Sequence, residues 1–180
     1  MRLACQSQRD GCDAAMVWCA GDPAVCAARE LVDIPIIGTG EAGMLFAYHL
    51  AQSYCILTGD EELAATSYDV SVHAGLRSRL VSIRGIEMSV DELRNNREVA
   101  LDGLTCVAQK AIQEDNVHAF VFGCLALTGL GEELSKRIGL PVVDSAICAV
   151  ELAQALTGAG LHYSRRTYAR PPIILPEYQV

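Results

Sequence analysis

The chain has 180 residues, 51% of them hydrophobic and 20% charged, a globular composition long enough for one sizeable core or two small ones. Its net charge of −8 argues against the basic face that nucleic acid requires, and no apolar run reaches the roughly 18 residues of a membrane span. The first ten residues lack a signal peptide's apolar core, so the eight cysteines read as reduced thiols of a cytoplasmic protein rather than a disulfide framework.

Residues 1–12 read as the end of a helix that leads into a strand over 13–19. Gly21-Asp22-Pro23 is a loop, with Asp22 as N-cap and Pro23 as first residue of a helix to about Leu31. Residues 35–37 form a short apolar strand, of the kind buried on both faces of a parallel sheet. A turn over 38–43, a helix over 44–52 and a strand over 54–57 follow, the strand closing on Thr58-Gly59-Asp60. Residues 80–86 form a strand, 91–114 one long helix or two, and a strand runs from 119 to Cys124. After a loop with Gly129 and Gly131 come a helix to Ile138, a strand over 141–143, and a helix over 146–157 opened by Asp144-Ser145. The tail, with Arg165-Arg166, Arg170-Pro171-Pro172 and Pro176, is irregular and packs on the surface. Strands alternating with helices define a parallel α/β architecture, in which ligands sit beyond the carboxyl ends of the strands.

Two rival sites are weighed from spacing. Cys5, Cys12, Cys19 and Cys26 recur every seven residues, but metal sites use closer pairs and Asp22-Pro23 breaks a heptad helix. His49, His73, His118 and His162 are scattered, so no metal is expected. Gly38-Thr39-Gly40-Glu41-Ala42-Gly43 matches G-x-G-x-x-G between a strand and a helix, and Asp60 ends the next strand, as in a dinucleotide site. Against that reading, the equivalent turn Asp144-Ser145-Ala146 carries no glycine.

The organising feature is a repeat. Ala119-Phe120-Val121-Phe122-Gly123-Cys124 echoes Ala14-Ala15-Met16-Val17-Trp18-Cys19, 105 positions earlier. Each copy continues through a helix and an Ile-Pro or Leu-Pro strand into an Ala-rich helix. The chain therefore divides into a first α/β unit over 1–53, a second over 54–160 and a tail over 161–180, with the active site in the cleft between the two pseudo-symmetric units. The second copy has a lead-in from Tyr54 that the first lacks, so the first unit is expected to be incomplete at its N-terminus. Two thiols at equivalent strand ends, facing each other across a cleft, suit transfer of a proton from one face of a carbon to the other, with no cofactor.

These motifs resemble the aspartate/glutamate/hydantoin racemase superfamily, in particular its hydantoin and allantoin racemases. The similar segments are residues 13–23 with Gly21-Asp22-Pro23, Ile34-Pro35-Ile36-Ile37-Gly38 with Glu41-Ala42, Phe122-Gly123-Cys124-Leu125-Ala126, Leu140-Pro141-Val142-Val143-Asp144 and Ser164-Arg165-Arg166. The resemblance implies cofactor-independent 1,1-proton transfer on a 5-substituted hydantoin or an allantoin-like small molecule, with Cys19 and Cys124 as the acid/bases. It implies that Ala20, Gly21, Thr58, Gly59, Gly123 and Leu125 line the substrate site, and that Glu41 orients a nearby loop. Family members are commonly oligomers, so a homo-oligomer fits, although no apolar stripe specifies an interface. Alternatives are decarboxylase or cis–trans isomerase chemistry on a dicarboxylate, an inactive fragment or partner-dependent subunit, and a dinucleotide-binding protein.

Overall fold

A computed structural model describes residues 1–173 and Tyr178. Two all-parallel sheets form its frame. The smaller pairs β1 (Ala15–Val17) with β2 (Ile36–Gly38). The larger has the order β4 (Leu80–Gly85), β3 (Tyr54–Thr58), β5 (Ala119–Phe122), β6 (Val142–Val143). β3 and β5 are buried along their whole length, as parallel strands covered on both faces must be.

The helices are α1 (Arg2–Arg9), α2 (Val25–Leu31), α3 (Thr39–Leu50), α4 (Ala64–His73), α5 (Val90–Asn95), α6 (Arg97–Asp115), α7 (Gly131–Ile138) and α8 (Ser145–Gly158). Alternation along the strands sorts the larger sheet into two cores. Cys55, Leu57, Phe120 and Phe122 pack against α6 and α7, whereas Tyr54, Ile56, Ala119 and Val121 pack against α3, α4 and α8. A third core joins Ile36 of β2 to α2 and to Cys5 of α1.

The repeat is reproduced in strand register. Ala15 pairs with Ile36 and Met16 with Ile37; their counterparts Phe120 and Val121 pair with Val142 and Val143. The helices that follow the two Pro-led strands, α3 and α8, pack on each other and join the units. Ser145 of α8 donates to the carbonyl of Phe122 at 2.6 Å. That approach requires Gly43 on α3, because a Cβ there would overlap the Ser145 hydroxyl.

Two local expectations are corrected. Asp22 does not cap α2, whose start at Ala24 has a left-handed backbone and no side-chain cap. Asp22 itself adopts φ +49°, and its two carboxylate oxygens accept from the amides of Gly40 (2.9 Å) and Glu41 (2.7 Å) at the start of α3. The acid thus caps a helix 18 residues away because the strained loop turns it inward. Second, residues 38–43 are not a turn: α3 begins at Thr39, so the glycine run is β2's last residue and the first helical turns. A Cβ at Gly40 would overlap the carbonyl oxygen of Ala20, so this glycine is required by close chain packing.

The tail is pinned to the first unit. Arg165 and Arg170 pair with Asp33 and also donate to the last carbonyls around α2. The guanidinium of Arg29 lies within 6 Å of the ring centres of both Tyr163 and Tyr168, at 5.0 and 5.6 Å. Pro176 of the tail lies outside the described residues.

Candidate active site

β1 and β5 each end two residues before a cysteine, and each chain then turns sharply. The amide of Cys19 donates to Val17 and its carbonyl accepts from Asp22, both at 2.9 Å, which projects Trp18 outward. On the other unit the amide of Gly123 donates to Leu57 at 2.8 Å, locking the end of β5 to β3. A Cβ at Gly123 would lie 2.6 Å from Ile56 and 2.9 Å from Thr58, so only glycine lets the cysteine loop settle there.

Both loops open onto one cavity of about 270 Å³. Cys19, Ala20 and Gly21 of the first loop and Gly123, Cys124 and Leu125 of the second line it together. α4 closes one wall with Thr66 and Ser67; a Cβ at Gly21 would come 2.8 Å from the Thr66 methyl, so the Cys19 loop rests directly on that helix. α5 contributes Val90 and Arg94. A capping box fixes the start of α5: Ser89 accepts from the amide of Glu92, whose carboxylate accepts from the Ser89 amide.

Six of the nine residues singled out in the sequence therefore share the cavity. The other three lie elsewhere. Thr58 is fully buried behind Gly123, and its hydroxyl donates to the carbonyl of Asp60 at 2.8 Å. Gly59 is covered by Leu93 and Met88, and accepts from the Met88 amide through its carbonyl. Glu41 faces a separate cavity of about 740 Å³, pairs with Arg29 and accepts from the amide of Gly38. Among the described residues, only Gly21 and Thr66 line both cavities.

The thiols have different surroundings. Cys19 is exposed and Cys124 half-buried. Burial pushes the Cys124 thiol above its ordinary range, and the neighbouring Cys19 adds to this; the amide of Ala126 and the charge of Arg94 oppose it. The Cys19 sulfur is thus near enough to disfavour the thiolate of Cys124.

The spacing of the chain gave no sign of Thr66, Ser67 or Arg94. They enter through the packing of α4 and α5 over the strand ends, which no local pattern encodes. Trp18, just past the end of β1, is exposed beside Cys19.

The structure is therefore a pseudo-symmetric parallel α/β fold in which α3 packs on the larger sheet and α8 on the smaller, and one cavity is lined by a thiol from each end of the repeat. The Asp/Glu/Hydantoin racemase family model matches residues 1–153; the chain belongs to that family and is a racemase, an isomerase by reaction class. A hydantoin racemase of Pseudomonas sp. (strain NS671) is 29% identical over 167 residues, which cover 92% of this chain and 67% of the relative. Among solved structures, an allantoin racemase from Klebsiella pneumoniae superposes with a TM-score of 0.90 at 26% identity, covering 96% of this chain and 71% of that one. An allantoin racemase from Pseudomonas fluorescens gives 0.88 at 30% identity, covering 96% and 77%.

Proposed function

We propose that this protein racemises a 5-substituted hydantoin or an allantoin-like ring by two-cysteine 1,1-proton transfer, without a cofactor. The observation that carries this reading is that Cys19 and Cys124, from equivalent strand ends, line the same small cavity. A thiolate on one side removes the proton from the ring's stereogenic carbon. The S–H bond forms as the C–H bond breaks, and the electron pair moves into the adjacent carbonyl as an enolate. The thiol on the other side returns a proton to the opposite face, and the carbonyl re-forms. The sulfurs end with their protonation states exchanged, so the reaction runs equally in reverse.

Cys124, which burial holds protonated, is the donor at the start of one direction, and the exposed Cys19 is its base. The hydantoin and allantoin racemases among its relatives support this substrate class. The test is polarimetric: the protein should abolish the optical rotation of (S)-allantoin or (S)-5-benzylhydantoin in D₂O, with one deuterium entering at the ring carbon. Retention of rotation and of the ring proton in both compounds would overturn the reading.

A further inference from the structure

Among the described residues the thiol cavity is lined by one formal charge and by the unused hydroxyl of one buried residue, and proton transfer needs neither. Arg94 is the charged residue among those lining it; no carboxylate does so. Its neighbours in sequence are committed elsewhere. Arg97 donates to the carbonyls of Ala126 and Thr128, and the Glu92 carboxylate folds back onto Ser89. Among the described residues Arg94 has no ion-pair partner. Ser67, only 3% exposed, lines the same cavity, and its hydroxyl has no hydrogen-bond partner among the described residues.

Trp18, Leu63, Val90 and Leu125 form an apolar part of the lining. A guanidinium at the edge of an apolar wall, with a spare hydroxyl in the same cavity, suits a short aliphatic chain ending in a carboxylate, which arginine can grip with two parallel hydrogen bonds.

We propose that Arg94 and Ser67 select a ring substrate whose substituent at the racemised carbon ends in an anionic group, a carboxylate by size and geometry. This rests on the racemase reading above and names the substrate within it. Arg94 then sets specificity and takes no part in moving the proton.

The experiment pairs 5-(2-carboxyethyl)hydantoin with its neutral isostere 5-(2-carbamoylethyl)hydantoin. Racemisation of each is followed by polarimetry, and binding by equilibrium dialysis. The wild type should favour the carboxylate by about tenfold or more in kcat/KM, chiefly through KM, as expected for one charge-assisted contact. Arg94→Gln should remove that preference, Arg94→Lys should keep part of it, and raising the salt concentration should shrink it. A merely structural role for Arg94 would lower kcat on both compounds and leave the ratio intact. A wild-type ratio near one, or a ratio that Arg94→Gln changes less than twofold, overturns the proposal. If neither compound racemises, the dialysis decides separately. A carboxylate preference lost in Arg94→Gln supports the anionic wall while the racemase reading fails; equal binding overturns the wall as well.

Discussion

The guanidinium of Arg97 lies 2.7 Å from the carbonyl oxygen of Ala126, the residue whose amide sits near the Cys124 sulfur. A second nitrogen reaches Thr128 at 2.6 Å. The first turn of α6 therefore holds the Cys124 loop from behind. Arg97→Ala should free that loop, lower kcat more than it changes KM, and cost about 2 kcal/mol of stability through lost charged hydrogen bonds. Thiol labelling of Cys124 should quicken in the variant, and urea melts should give the stability loss. Unchanged labelling would mean that Arg97 does not position the thiol.

Asp22 links pH to the capped start of α3. Burial raises its carboxyl from 3.8 to about 6, against the opposing amides of Gly40 and Glu41. The folded state therefore holds this proton more tightly than the unfolded chain. Its contribution favours folding fully below about pH 3.8 and is lost as pH rises through about 6. Asp22→Asn removes the titration. The Tm difference, wild type minus variant, should widen in favour of the wild type as pH falls from 7 to 4. A difference that stays flat across that range would contradict the assignment.

Glu41 illustrates a buried pair outside the cysteine site. Arg29 is 7% exposed and also donates to the carbonyl of Ile36. Glu41→Gln strips the charge that balances it and should cost on the order of 3 kcal/mol. Differential scanning calorimetry reads this as a lower Tm. The folded fraction of the variant should keep a near-normal kcat, because Glu41 lines the neighbouring cavity and not that of the thiols.

Gly43 tests what the glycine run does. Gly43→Ala places a methyl against Ser145 and within 3.0 Å of Val121, where α3 and α8 cross. It should destabilise by about 1–3 kcal/mol through overpacking. Equilibrium dialysis against NAD should show no saturable uptake at micromolar concentration. Saturable binding that Gly43→Ala abolishes would restore the dinucleotide reading.

Much of the frame was legible because it is local. The all-apolar runs ending on cysteines are parallel strands, β5 buried and β1 half-buried, and the repeat extends to the pairing of Met16 with Ile37 and of Val121 with Val143. What escaped depends on contacts distant in sequence. Asp22 beside Pro23 looks like an N-cap for the next helix, yet the positive φ at Asp22 sends its carboxylate to α3. Thr58 and Gly59 stand at a strand end, where ligands are expected, but Leu93, Met88 and the Cys124 loop cover them. Arg94 carries no motif; only the folded position of α5 brings it to the thiols.

The most direct measurement is isotope exchange by single-cysteine variants. Cys19→Ser and Cys124→Ser, both verified as folded, are incubated in D₂O with each enantiomer of a 5-substituted hydantoin, and the ring proton is followed by NMR. If the two thiols act on opposite faces, each variant loses racemisation by several orders of magnitude, and any residual exchange is confined to one enantiomer, opposite for the two variants. Wild-type exchange from both enantiomers in either variant would show that proton transfer does not run between Cys19 and Cys124.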